Sequence, residues 1–184
     1  MRRRGWSTIA PAEQPPRAPP LRARKILEAF AAHELDYVVI GGVAATIWGS
    51  PRNTEDLDIC PSDASDNLSR LANSLNELDA RFRPPGLETG FPPAAPWDDK
   101  SFGSFTSLSL VTEHGWLDVW FRPDGTRGYR DLIEHAAQAE FRGVRVRVAD
   151  LDDVIRSKAA AGRERDLQAI PHLRELQQRR ELRG

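Results

Sequence analysis

The feature that most constrains the fold is an apolar run, YVVI at 37–40, that leads directly into two adjacent glycines. Four consecutive apolar residues are typical of a buried strand, and the spacing of VAATIWG after the glycines predicts a helix. A second segment, EDLDICP at 55–61, alternates polar and apolar residues and stops at a proline, which predicts a half-buried strand. The centre of the chain therefore consists of two strands separated by one short helix.

The same periodicities divide the rest of the chain into elements. Residues 84–104 are rich in proline and glycine and are predicted to form a long loop. SLSLV and WLDVWF, joined by TEHG, are typical of a hairpin, and alternation predicts a strand at 141–150. Helical spacing predicts further helices at 21–35, 62–83, 128–137, 151–162 and 163–180. This order predicts an α+β (α/β) fold, with a small mixed β-sheet flanked by helices and a helical C-terminal region.

The first 25 residues carry seven basic residues against one acid, Glu13, although the formal net charge of the chain is only -1. Five prolines interrupt this segment, so it cannot form a packed core. We therefore expect residues 1–20 to be a disordered, basic, proline-rich arm. Such an arm either binds phosphate backbones or only keeps the protein soluble.

Composition also indicates a compartment. The single cysteine, Cys60, cannot form an internal disulfide, which fits a reducing environment. The sequence contains no run of 18 apolar residues, and its start lacks the apolar segment of a secretory signal. We expect a cytoplasmic protein without a membrane partner.

Clustered acids beside the glycines indicate a site for phosphate chemistry. Asp56 and Asp58 stand two residues apart, so both project from one face of their strand at a separation that suits a hard divalent cation. Adjacent glycines at a strand end let the backbone approach a bulky anion such as a triphosphate. Asp118 interrupts the apolar strand WLDVWF, where an acid is costly unless a metal or hydrogen bonds compensate it. If the two strands are neighbours, three carboxylates converge as in-line transfer at phosphorus requires.

The order of these residues resembles the DNA polymerase β-like nucleotidyltransferase superfamily. The residues that carry the resemblance are Gly41, Gly42, Arg52, Thr54, Asp56, Asp58 and Asp118. Together with Lys158 and Gly162-Arg163-x-x-Asp166-Leu167, the pattern is similar to the AbiEii branch, the nucleotidyltransferase toxins of the MenT kind. Members of that family are encoded beside an antitoxin and add nucleotides to the 3′ end of tRNA. The likeness covers roughly residues 26–170, and one departure is Gly42, where the family often has serine.

The resemblance implies a role for each of these residues. Asp56, Asp58 and Asp118 would hold Mg²⁺, with Mn²⁺ as an alternative, and would be catalytic together with Lys158. An NTP substrate would be bound by Gly41, Gly42, Arg52, Thr54, Arg163 and Asp166. Residues 21–150 would form the nucleotidyltransferase domain, and helices in 151–184 would complete its active site. The expected partners are tRNA or another RNA acceptor and a cognate antitoxin.

Other interpretations remain open at this stage. The same acids would serve an aminoglycoside or lincosamide nucleotidyltransferase, an antitoxin that labels a HEPN-type ribonuclease, or a catalytically inactive binding module. Arg52 either binds phosphate or pairs with an acid such as Asp56, and Lys158 either meets a triphosphate or lies on a solvated helix face. Asp166 either orients Lys158 or caps the last helix. Thr54 is also a candidate for phosphorylation, with Ser50 as the competing acceptor.

Overall fold

The computed structural model describes residues 19–182, which contain a seven-stranded mixed sheet and flanking helices. The strands are β1 (Tyr37–Val39), β2 (Asp56–Pro61), β3 (Arg81–Phe82), β4 (Ser107–Thr112), β5 (Gly115–Trp120), β6 (Ala137–Phe141) and β7 (Val144–Val148). The helices are α1 (Ala23–Ala32), α2 (Gly41–Ile47), α3 (Ser65–Glu77), α4 (Tyr129–Ile133), α5 (Leu151–Ala161), α6 (Glu164–Leu167) and α7 (Ile170–Glu181). A short 3₁₀ helix, Asp99–Phe102, lies within the predicted long loop.

The sheet places β2 at its centre. The strand order is β3-β4-β5-β2-β1-β7-β6, and β2 pairs antiparallel with β1 and parallel with β5. The α+β class with a mixed sheet is therefore confirmed. The parallel pairing matters most for function, because it brings the acidic residues of β2 and β5 to the same part of one sheet face.

Alternation along β2 separates the core from the site. Leu57 and Ile59 are completely buried, whereas Asp56 and Asp58 on the opposite face are only partly buried. The core face of the sheet is covered by the apolar sides of α1 and α3, which supply Ile26, Leu27, Phe30, Leu71 and Leu75 to the buried cluster. Burial of each large side chain contributes about 1.5–3 kcal/mol. The apolar residues of β2 thus anchor the strand and fix the direction in which its carboxylates point.

The largest departure from the predicted elements is at 128–150. The predicted strand at 141–150 is only the second arm of a hairpin, because β6 pairs antiparallel with β7. The two arms are joined by Arg142 and Gly143, both with positive φ, as a two-residue hairpin turn requires. The predicted helix at 128–137 is correspondingly shorter and ends at Ile133, since residues from Ala137 onward belong to β6.

Two other helices were predicted too long. The helix predicted at 62–83 ends at Glu77, and Asp79 then adopts a positive φ that turns the chain into β3. The helix predicted at 163–180 is divided into α6 and α7, with a proline in the first turn of α7. The predicted break at Gly162 is confirmed, because this glycine ends α5 in the left-handed conformation.

The predicted arm at 1–20 lies almost entirely outside the described residues, and the domain boundaries at 20 and 150 stay predictions. Within residues 19–182, no helix combines the length and apolarity that crossing a membrane requires. Cys60 is buried in the core.

Candidate active site

Three carboxylates converge where β2 lies beside β5. Asp58 is directly opposite Asp118 in the parallel pairing, and Asp56 is opposite Trp116. Asp56, Asp58 and Asp118 each offer one carboxylate oxygen, and these oxygens all lie within 4.8 Å of one another. The prediction that the two acidic strands are neighbours is therefore confirmed. Their catalytic role stays a prediction.

The glycine pair allows the side chains of β2 and its preceding loop to approach α2. Gly41 begins α2 with φ +62°, and an added Cβ there would collide with the carboxylate of Asp58. At Gly42 an added Cβ would stand 2.5 Å from Thr54 Oγ1. Both positions therefore require glycine because of the protein's own side chains. The hydroxyl of Thr54 occupies the space that a serine at position 42 would need, which explains the departure from the family pattern.

Thr54 is linked directly to the carboxylate cluster. Its hydroxyl donates to Asp56 Oδ1 over 2.7 Å, although Thr54 itself precedes β2 and lies in a loop. The competing phosphorylation candidate, Ser50, is buried with 7% of its surface exposed, whereas Thr54 is half-buried. Modification of either residue stays a prediction.

Gly42→Ala is expected to lower the free energy of unfolding by about 1–3 kcal/mol, because the new methyl group displaces Thr54 from Asp56. Chemical denaturation of the metal-free protein measures this change. Gly103→Ala is the matched control, since its added Cβ meets nothing nearer than 4.0 Å and its backbone is right-handed helical. In a Thr54→Gly background, which lacks both Oγ1 and Cβ of residue 54, the additional cost of Gly42→Ala should be smaller. Wild-type stability in Gly42→Ala would contradict the predicted collision.

The cluster carries more negative charge than its surroundings compensate. Burial, followed by the neighbouring charges of Asp56 and Asp118, raises the pKa of Asp58 to about 7. The indole of Trp120 partly opposes this shift by donating to Asp58 Oδ1 over 3.1 Å. Burial also raises the pKa of Asp118, while the Arg83 guanidinium lowers it. A bound cation would relieve this unmet charge.

Arg83 and Trp120 are site residues that the sequence did not reveal. Arg83 Nη2 lies 3.1 Å from Asp118 Oδ1. Trp120 lies in the apolar strand WLDVWF, yet it is half-buried and its indole donates to Asp58. The only sequence signal for Trp120 is its position two residues after Asp118, which places both side chains on one strand face. Arg83 lies at the end of the segment that was predicted to be a helix, whereas in the structure it follows the two-residue strand β3. No local sequence pattern therefore identifies it as a site residue.

Lys158 forms an ion pair on the helical side of the site. Its Nζ lies 2.8 Å from Asp166 Oδ1, and the two side chains are 19% and 10% exposed. The interpretation of Lys158 as a solvated surface lysine is therefore wrong. The side chain of Asp166 does not cap α7. Of the two roles considered for Asp166, the ion pair therefore fits the orientation of Lys158. Arg163 Nη1 is 3.8 Å from Asp166 Oδ2 and completes a cation–anion–cation cluster.

The structure also places Arg52 and the other residues that the sequence predicted for this site. Arg52 is exposed, and within residues 19–182 it forms no ion pair, so the alternative pairing with Asp56 is not observed. Asp98, an acid of the predicted long loop, caps the 3₁₀ helix by accepting hydrogen bonds from Lys100 N and Ser101 Oγ. A cavity of about 270 Å³ is lined by all the predicted site residues, namely Gly41, Gly42, Arg52, Thr54, Asp56, Asp58, Asp118, Lys158, Arg163 and Asp166.

The residues present fit a divalent metal ion. Three carboxylate oxygens within reach of one centre are the hard ligands that Mg²⁺ and Mn²⁺ prefer. Burial and then the charges of Asp56 and Asp118 raise the pKa of Asp58, and a bound cation would favour its ionised form. The arrangement can therefore bind a metal, although the geometry does not select one ion.

Comparisons with known proteins support the fold. No protein-family model and no curated protein sequence matches the chain. The solved structure of the lincosamide antibiotic adenylyltransferase LnuA with lincomycin bound aligns with 84% of this chain and 95% of its own, at 13% identity and a TM-score of 0.58. A nucleotidyltransferase-like protein from Thermotoga maritima aligns over 88% of both chains at 15% identity, with a TM-score of 0.47. The protein thus shares its fold with LnuA, and it carries an acidic triad that could bind metal.

Proposed function

We propose that the protein is a metal-dependent nucleotidyltransferase that transfers a nucleotide from an NTP to a hydroxyl group and releases pyrophosphate. The observation that carries this proposal is the convergence of Asp56, Asp58 and Asp118 in a cavity that also presents Lys158 and Arg52. An acidic centre faced by cations is what a metal-bound triphosphate requires. A catalytically inactive binding module is disfavoured, because inactivation usually removes a metal-binding acid and all three are present.

Each residue has a distinct task in this reaction. Asp56, Asp58 and Asp118 would hold the metal, which would supply neutralisation of the phosphate charge and lower the pKa of the attacking hydroxyl. Thr54 orients the carboxylate of Asp56, and Trp120 orients that of Asp58, through the hydrogen bonds described above. Lys158, held by Asp166, offers a compact positive charge to phosphate oxygens. Arg52 and Arg163 offer guanidinium groups at the same cavity.

The 3′ end of tRNA is the acceptor we favour, which would make the protein the toxin of a toxin–antitoxin pair and a block to translation. The AbiEii-like order of its motifs and the basic arm at 1–20 support this choice. A cognate antitoxin is then the expected protein partner. The alternative role, an antitoxin that modifies a HEPN-type toxin, uses the same chemistry on a protein acceptor.

A second candidate acceptor is an antibiotic. Its support is the similarity in fold to LnuA, which aligns over nearly the whole of both chains. A lincosamide or an aminoglycoside would then receive the nucleotide. The two candidates differ in the product, so one experiment separates them.

The proposed activity is tested by incubating the protein and Mg²⁺ with each labelled NTP and one acceptor. The acceptors are total RNA, purified tRNA, lincomycin, an aminoglycoside and a HEPN-type ribonuclease. We expect label at the 3′ end of tRNA from at least one NTP, and none with Asp58→Asn. Label in lincomycin or the aminoglycoside and none in RNA would assign the antibiotic function. Absence of label from every acceptor would contradict the proposed activity.

Deletion of residues 1–20 should weaken RNA binding and reduce its dependence on salt. The segment contains four arginines, Arg2, Arg3, Arg4 and Arg17, so the slope of log K against log salt should fall by up to about 3. The folding of the remainder should not change. Binding isotherms at several salt concentrations measure the slope, and an unchanged slope would make the segment a passive tail.

A further inference from the structure

A row of four residues crosses the sheet on the face that carries the acids. Asp58 of β2 is opposite Asp118 of β5, and Asp118 is opposite Ser109 of β4. Beyond Ser109, the backbone N–H of Arg83 donates to Ser109 O over 2.8 Å. Arg83 therefore occupies the next position of the row, immediately after β3, and its side chain reaches across β4 to the third carboxylate.

The side chain of Arg83 is held in a single orientation by three contacts. Its Nη2 donates to Asp118 Oδ1 over 3.1 Å, and its Nε donates to Leu110 O over 3.4 Å. The guanidinium also stacks on Trp116, with its carbon 4.2 Å from the ring centroid. The side chains of Arg83 and Asp118 are only 18% and 13% exposed. A planar guanidinium suits such a stacked and directed position better than an ammonium would.

Asp118 is the one acid of the three whose carboxylate faces a cation of the protein. Within residues 19–182, neither Asp56 nor Asp58 forms an ion pair, and their oxygens accept hydrogen bonds from Thr54 and Trp120 respectively. Arg83 thus supplies a permanent positive charge at one end of the cluster. A metal held by the triad would share Asp118 with Arg83, whose Nη2 donates to Oδ1, and with the Ser109 side chain, whose hydrogen bond also lowers the pKa of Asp118.

We propose that Arg83 is a positioning residue for Asp118, holding Oδ1 so that the carboxylate keeps the orientation in which it would bind a metal together with Asp56 and Asp58. The positive charge of Arg83 also opposes metal binding. Arg83 therefore lowers the affinity of the site for a metal while it fixes the orientation of the Asp118 carboxylate. The catalytic part of this role rests on the proposed nucleotidyltransferase function. The alternative is that the ion pair only attaches β3 to the sheet, in which case neither metal affinity nor turnover depends on the charge of residue 83.

Metal binding tests the electrostatic part without a substrate. Arg83→Gln keeps a polar side chain and removes the charge, so we expect Mn²⁺ to bind about tenfold more tightly than to the wild type. Electron paramagnetic resonance of free Mn²⁺ measures this affinity. The rise in Tm on adding Mn²⁺ should also be larger in Arg83→Gln than in the wild type. Equal or weaker Mn²⁺ binding would overturn the proposal.

Steady-state kinetics test the positioning part. At saturating Mg²⁺, Arg83→Gln should lower kcat about 10- to 100-fold with little change in KM for the NTP, because Arg83 acts on the orientation of Asp118 and does not itself line the cavity. Arg83→Lys, which keeps the charge, should bind Mn²⁺ as the wild type does and recover part of kcat. It also keeps the proposal testable if Arg83→Gln does not fold. An unchanged kcat in a folded Arg83→Gln would overturn the positioning role.

Arg81→Gln is the matched control. Arg81 lies two residues earlier on the same strand and pairs with Asp79 at the surface. Wild-type Mn²⁺ affinity and kcat are expected for Arg81→Gln. If Arg81→Gln changed both quantities as Arg83→Gln is expected to, the specific role of Arg83 would be overturned. If the wild type transfers no nucleotide, the proposed function fails, but the Mn²⁺ comparison still decides whether Arg83 opposes metal binding at Asp118.

Discussion

Asp58→Asn is expected to reduce nucleotide transfer on the order of 10³-fold, because it removes a metal ligand at the centre of the triad. Asp56→Ala and Asp58→Ala should have similarly severe effects. The measurement is incorporation of labelled nucleotide at saturating Mg²⁺. Glu55→Gln is the control, since Glu55 is the adjacent acid but is exposed and points away from the cluster. Wild-type transfer by Asp58→Asn would remove this residue from the mechanism.

The same variant should make the metal-free protein more stable above neutral pH. Asp58 has a pKa of about 7 when folded, against an ordinary value of 3.8, so between these values the folded state binds a proton that the unfolded chain has released. The contribution of Asp58 to stability therefore falls as pH rises from about 4 to about 7, and is constant above that. Because Asn cannot ionise, the Asp58→Asn variant does not lose this contribution to stability as the pH rises.

Denaturation by urea in the presence of EDTA, at pH 5 and pH 8, tests this sign. Comparison of Asp58→Asn with the wild type at each pH cancels the contributions of titrating groups that lie far from Asp58. We expect the stability difference to move in favour of Asp58→Asn at pH 8. A difference that is the same at both pH values would show that the Asp58 carboxylate titrates as it does in the unfolded chain.

Lys158→Ala is expected to lower transfer about 100-fold, because it removes the half-buried positive charge that we propose binds the triphosphate. Lys158→Arg should restore only part of the activity, since a planar guanidinium differs from an ammonium in reach and geometry. Both rates come from the same incorporation assay. Lys100→Ala is the control for loss of a lysine away from the cavity. A wild-type rate in Lys158→Ala would assign Lys158 a structural role only.

Stability must be separated from catalysis in this experiment. Lys158→Ala leaves Asp166 with only the more distant Arg163, so the free energy of unfolding should also fall by about 2 kcal/mol. The double variant Lys158→Ala with Asp166→Asn removes the unpaired charge. It should recover stability without recovering transfer. Recovery of both would mean that the single variant lost activity through unfolding.

Local patterns predict the part of the fold that builds the acidic centre. Because one face of β2 is buried, apolar and polar residues alternate along the strand. The sequence EDLDI therefore predicts both the strand and the face that carries Asp56 and Asp58. The hairpin of β4 and β5 is equally local, and with it the face of Asp118. Only the adjacency of β2 and β5 had to be assumed.

Elements whose identity depends on a distant partner were predicted poorly. Ala137–Phe141 has small and polar residues with weak β preference, and it becomes a strand because β7 lies beside it. The two-residue strand β3 likewise exists only through its pairing with β4. Because β3 was missed, so was Arg83, the residue that follows it.

The sequence by itself determined which residue types stand on each face of β2 and β5. That the acids, the two glycines and a lysine near the C-terminus form one centre was implied only by the resemblance. Tertiary structure alone decided which atoms meet: Arg83 on Asp118, Trp120 on Asp58, Thr54 in the space beside Gly42, and Asp166 on Lys158. Periodicity records the direction of a side chain relative to its own backbone. Hydrogen bonds and Coulomb forces act through space, between segments that approach only when the sheet has formed.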